Sequence, residues 1–159
     1  MSDPLVAYLH DHLVASVHAI ELVEVLRDEY VGKPLGDFAA ELLVEIEADR
    51  EVLRKLGNQT GADSSGLRDL TAWLSEKVSR LKLGRGAGNG PETFEALEFL
   101  ELGIQGKWAL WRALAAVAAA DSRLDGTDFD SLAACAESQQ AKNKERRLEM
   151  EDVDPGIAV

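Results

Sequence analysis

Aromatic residues make up only 6% of this sequence, and cysteine occurs once, at Cys135. A single cysteine excludes an intramolecular disulfide and any Cys-x-x-Cys metal or redox pair. The chain needs no such staple, because 159 residues suffice to bury a sizeable core. Basic residues are scarce too, 17 against 29 acidic, giving a formal net charge of −12. That field repels phosphate backbones and anionic lipid, so neither nucleic acid nor a membrane surface is an expected partner. Long apolar runs are missing. The longest, Ala113 to Ala120, falls far short of the roughly 20 residues that cross a bilayer. The start, MSDPLVAYLHDHL, has no basic stretch and no signal-type cleavage site, so a cytoplasmic location is expected. GRGAGNG carries the glycines of a phosphate loop, but no strand precedes it and no Gly-Lys-Ser/Thr closes it. There is no nucleophile elbow and no HExxH.

What is present is helix. Hydrophobic residues make up 46% of the chain and recur at spacings of three and four, with no β-branched runs. The fold class predicted is all-α. A first helix runs from Pro4 to Val31, capped by Asp3 and ended by Gly32, with Leu5, Leu9, Leu13, Ser16, Ile20 and Val23 on one face. A second runs from Pro34 to Leu56, with Gly57 as its stop and residues 57–64 as loop. A third segment, Gly66 to Leu83, repeats Leu67, Leu70, Leu74, Val78 and Leu81 on one face and carries Trp73 off that stripe. Residues 84–90 read as a linker. A fourth helix spans Pro91 to Ala120, residues 121–127 turn the chain, and a last helix runs from a Thr127 or Asp128 cap to Glu151. Residues 1–152 form one helical domain and 153–159 a tail. The expected pattern is two antiparallel hairpins joined by a long crossover that carries its own helix.

Polar residues interrupt the apolar stripes. In the first hairpin His12, Ser16 and Asp49 share the inner face, and folding at Gly32 sets Ser16 opposite Asp49. A buried Asp is costly unless paired. The preferred reading is a satisfied pair that fixes register; an Asp-oriented histidine acting as base or ligand is the sharper one. In the second hairpin Gln140, Asn143 and Arg147 line the inner stripe. Folding brings Glu101 to Arg147 and Gln105 to Asn143, with Glu98 toward the open end. All these pairings are expected within each hairpin. Gly103 and Gly106 sit mid-helix, where each costs about 1 kcal/mol relative to Ala. They predict a close approach there, or a ligand notch with Lys107 and Trp108. Cys135 reads as a small buried hydrophobe, and KNKERR as a solvated helix face.

Four stretches carry a family resemblance: YLHDHLVASVHAIELVEVL, FAAELLVEIEADREVL, LEFLELGIQGKWALWRAL and AESQQAKNKERRLE. In them the chain resembles the ferritin-like superfamily, and more narrowly a group of bacterial ferritin-like proteins. The resemblance implies a ferritin-like four-helix bundle. It would also imply a di-metal centre, for which two helices each give a Glu and the other two each give Glu-x-x-His. The sequence departs from that requirement. His10, His12 and His18 all lie on the first helix, and the Glu-x-x-His positions read Glu45/Ala48, Glu47/Arg50 and Glu137/Gln140.

Three functions are therefore weighed. The first is a non-catalytic bundle acting through self-association, as a homodimer, or through another partner, with no cofactor. Trp73 is a candidate contact residue. The alternative is a carboxylate-rich iron or manganese oxidoreductase using His12, Glu45, Asp49, Glu98 and Glu101. It requires these side chains to converge in one coordination sphere. The second alternative is a small-molecule binder at the Gly103, Gly106, Lys107 and Trp108 notch.

Overall fold

The computed structural model describes residues 3–61 and 90–153. The expected crossover helix at 66–83, the linker before residue 90, Trp73 and the last residues of the tail lie outside them. The described residues form four long helices and no strand: α1 (Pro4–Glu29), α2 (Pro34–Thr60), α3 (Gly90–Val117) and α4 (Phe129–Val153). Two 3₁₀ turns, Ala118–Ala120 and Ser122–Leu124, link α3 to α4. None of these helices is long and apolar enough to cross a membrane.

The helix ends follow local chemistry. Asp3 caps α1 by accepting the Leu5 N–H at 2.9 Å, and Pro4 occupies the first turn, where a missing N–H costs nothing. Asp128 caps α4 through the Ser131 N–H at 3.0 Å. The second helix corrects the expected boundary. It passes through Gly57 and ends at Gly61, whose φ of +84° is the left-handed C-cap. Gly57 is buried, and the Thr60 hydroxyl donates back to the Leu56 carbonyl at 2.9 Å, which carries the helix on. The fourth helical stretch stops at Val117 as an α-helix and tightens to 3₁₀ over the last three alanines.

Helices α1 and α2 form one antiparallel hairpin, and α3 and α4 the other. The hairpins share one core, in which Leu9, Val23, Leu26, Leu42, Leu56, Leu97, Leu110, Trp111 and Leu114 are almost fully buried. In α1 the buried set runs Leu9, Leu13, Val14, Leu22, Val23, Val25 and Leu26, while Ser16 and Ile20 are only half-buried. The hairpins are tied at both ends by polar contacts. Arg123, in the α3–α4 connection, donates to Asp3 at 2.6 Å and to Asp121 at 2.6 Å. At the other end Tyr30 Oη and Thr93 Oγ1 share a 2.6 Å hydrogen bond.

Close backbone approach occurs at Gly36, not at the mid-helix glycines of α3. A Cβ at residue 36 would collide with the Tyr30 carbonyl, which the tight α1–α2 turn lays across the start of α2. At Gly103 and Gly106 an added Cβ would meet nothing within 4 Å, so the expected crossing of another described element is not there. Gly36→Ala should therefore lower stability by about 1–3 kcal/mol, as overpacking does. Gly103→Ala should raise it by about 1 kcal/mol. Urea unfolding of both variants checks this, and equal shifts in one direction would contradict it.

Candidate functional site

The polar centre of the bundle is the ammonium of Lys107, on the inward side of α3. It donates to Asp49 Oδ2 of α2 at 2.5 Å and to Gln139 Oε1 of α4. Gln139 Nε2 in turn donates to the same Asp49 oxygen at 3.2 Å. Lys107 and Asp49 side chains are 13% and 8% exposed, and Gln139 is 1% exposed, so three helices meet on a nearly dry ion pair. Its parts are positioned by ordinary periodicity. Asp49 sits between Ile46 and Leu53 on the buried face of α2. Gln139 falls between Ala136 and Asn143 on that of α4. A charge pair this buried persists because the ammonium and the carboxylate bond each other and both bond the amide.

Beside the pair lies a cavity of about 70 Å³ between α1, α2 and α3. Its polar rim is His12, Ser16, Asp49, Arg50 and Lys107, and its apolar wall includes Ile46, Leu53, Leu100 and Ile104. Ser16 is turned away, its hydroxyl donating to the Leu13 carbonyl at 2.6 Å. His12 packs edge-on against Tyr8, with ring centroids 4.8 Å apart. Burial pushes its imidazole below the ordinary value of 6.5, a shift that nearby Asp11 partly opposes. Arg50 brings a buried Nε that has no hydrogen-bond partner among the described residues.

The structure thus places His12, Ser16 and Asp49 around one cavity, but Asp49 bonds across the bundle and not within its own hairpin. The second polar group behaves differently. Arg147 does meet Glu101, at 2.9 Å. Gln105, however, accepts from Gln140 at 2.7 Å, while Asn143 is fully buried and donates to the Leu97 carbonyl at 2.9 Å. Glu98 stands exposed at the mouth of a groove with Glu101, Leu102, Gln105, Gln140 and Arg147. Of the expected notch, Gly103 and Lys107 border the cavity. Gly106 does not, and Trp108 donates its indole N–H to Glu137 at 2.9 Å on the surface. Trp111 is the core tryptophan, stacked on Phe129. Cys135 is exposed, a correction to its reading as a buried hydrophobe.

The carboxylates proposed as metal ligands are dispersed. Glu45 pairs with Lys142 at 3.2 Å, Asp49 with Lys107, and Glu101 with Arg147. Among the described residues no group of three or more His, Cys, Asp or Glu side chains could hold a metal ion. Gln139 and Arg50 were missed from sequence. The signal for Gln139 was present in the 3–4 spacing of Ala133, Ala136, Gln139 and Asn143, one residue out of phase with Gln140. No family model, curated protein or solved structure matches this chain.

Two outcomes follow. Lys107→Met leaves Asp49 buried without its cation and should cost about 3–5 kcal/mol, whereas Lys107→Met with Asp49→Leu should recover much of that loss. A double-mutant cycle in urea measures both, and additive losses would show that the pair is not coupled. His12 binds a proton more readily unfolded than folded, so stability is full above its ordinary value of 6.5 and falls as pH drops below it. Between pH 7.5 and 5.5, on either side of that value, His12→Gln should flatten this loss. Unchanged pH dependence in the variant would assign the slope to other groups.

Proposed function

We propose that this chain is a ferritin-like bundle without catalytic chemistry, acting through association, in the first instance with itself. The observation that carries the reading is how the polar groups between the helices are used. Glu45, Asp49 and Glu101 are each held by a cation from another helix, and Gln105, Gln140 and Asn143 by amide or carbonyl partners. Carboxylates committed in this way serve as ties between helices and are not free to converge on iron or manganese. The ferritin-like assignment rests on the two antiparallel hairpins and on the length of chain between them, residues 62–89, which must join the end of α2 to the start of α3.

What supports association is the exposed apolar surface. Val44, Phe99, Leu102, Val117 and Leu148 are 67%, 58%, 71%, 46% and 42% exposed, and three of the five lie on α3. Light scattering coupled to size exclusion, with elemental analysis of the same fraction, tests the reading. A stable oligomer without stoichiometric metal is expected. A monomer, or one iron or manganese per chain, would reject it. Small-molecule binding is a second reading, favoured by the cavity between Lys107, Arg50 and His12. At about 70 Å³ it has less than half of the roughly 150 Å³ that accommodates benzene, so any ligand has only a few heavy atoms.

A further inference from the structure

Helix α3 is apolar on two sides. Its inner side carries Ala96, Leu97, Leu100, Ile104, Leu110, Trp111 and Leu114 into the core. Its outer side repeats Glu95, Phe99, Leu102, Gly106, Ala109, Ala113 and Ala116 at alternating spacings of four and three, all exposed except the half-exposed Gly106. From Phe99 to Ala116 this outer row carries no charge, and an apolar helix row is ordinarily covered. Gly106 costs about 1 kcal/mol relative to Ala inside a helix, and nothing described in this chain lies within 4 Å of where its Cβ would be. A close approach to the α3 backbone from beyond the described residues would offset that cost.

We infer that the outer face of α3 is a homodimer interface, in which α3 packs antiparallel on α3 of a second copy about a twofold axis near Gln105. This rests on the association reading above and specifies its surface. Three properties of the stripe argue for a second copy. The spacing is that of a heptad seam, with Phe99, Gly106 and Ala113 at a positions and Leu102, Ala109 and Ala116 at d positions. In an antiparallel pair each a position faces a d position, so Phe99 meets Ala109 and Leu102 meets Gly106, large against small in every central layer. The flanking g positions are Glu98, Gln105 and Arg112, and antiparallel pairing sets g against g. Glu98 then faces Arg112 twice, and Gln105 faces its own copy on the axis. Parallel pairing would place Glu98 against Gly103 and form no ion pair. Both charges are available. Among the described residues Glu98 has no partner and Arg112 reaches only exposed Asp130, at 3.5 Å. Gly103, on the flank toward α1, keeps the approach open on that side, and Phe99 leans edge-on against His18 at 5.4 Å between centroids, leaving most of its ring outward.

The full chain tests this. In a Cys135→Ala background, Gln105→Cys should crosslink to a covalent dimer with a short bis-maleimide, and Lys55→Cys, on the other hairpin, should not. Glu98→Arg should weaken the dimer by about tenfold or more, since like charges then face each other twice, and adding Arg112→Glu should restore it. Leu102→Glu should give a monomer of unchanged helical content by circular dichroism. A dimer that neither crosslinks at residue 105 nor responds to the charge swap keeps the association reading and overturns this surface. A wild-type monomer overturns both. The same holds for a monomer in which Leu102→Glu lowers the unfolding midpoint, since another part of the same chain, such as the leucine-bearing stretch 66–83, would then cover the face.

Discussion

The arrangement of the two hairpins depends on one buried cation. Lys107 stands where an apolar residue would pack most simply, and its ammonium can remain there only while Asp49 and Gln139 surround it. Because those partners come from α2 and α4, the requirement fixes α3 against both helices at once. Sliding either hairpin by one turn, about 5.4 Å, would strand the ammonium or the carboxylate. Leucine contacts tolerate such slips far better than a charge pair does. The ties at the ends, Arg123 to Asp3 and Tyr30 to Thr93, hold the same register where the helices would otherwise fray.

The same constraint shapes the cavity. Small residues, Ala15, Ala19 and Gly103, are part of its lining, so the volume is not filled by side chains. His12 and Arg50 line that space with a carboxylate already engaged by two donors. The balance of charge at the cavity is therefore positive, and a proton on His12 would add to it. Burial is what disfavours the charged imidazole, and Asp11 opposes it.

Helix identity, helix caps and the hairpin pairing were legible because each rests on local signals: Asp3, Pro4 and Pro34 at starts, and 3–4 apolar spacing between. The Gly57 boundary was not. Gly-Asn-Gln reads as a turn, but the buried face continues through Leu56, Gly57 and Thr60, and tertiary burial overrides weak propensity. Asp49 was legible as a buried acid that needs a partner. Which partner was not, because a contact between α2 and α3 depends on how one hairpin sits on the other, and no local pattern encodes that. The glycines were half legible. Their cost in a helix pointed to a close approach, but the approach fulfilled inside the chain is at Gly36, where a turn lays a carbonyl over the helix start.

The charge of the whole chain limits where a second copy can sit. At a net charge of −12 two copies repel each other at long range, and at physiological salt that repulsion is screened over about 8 Å. Contact is then favourable only on a patch that is itself neutral and gains enough from burial. Much of the surface fails this, since α2 and α4 alternate acids with bases on their outer faces. The outer seam of α3 meets it. Between Glu95 and Ala116 its central positions are uncharged, and the charges beside them, Glu98 and Arg112, are opposite and equidistant from Gln105. A twofold operation about that residue exchanges one for the other, so the arrangement that buries Phe99 and Leu102 is also the one that cancels the local charge.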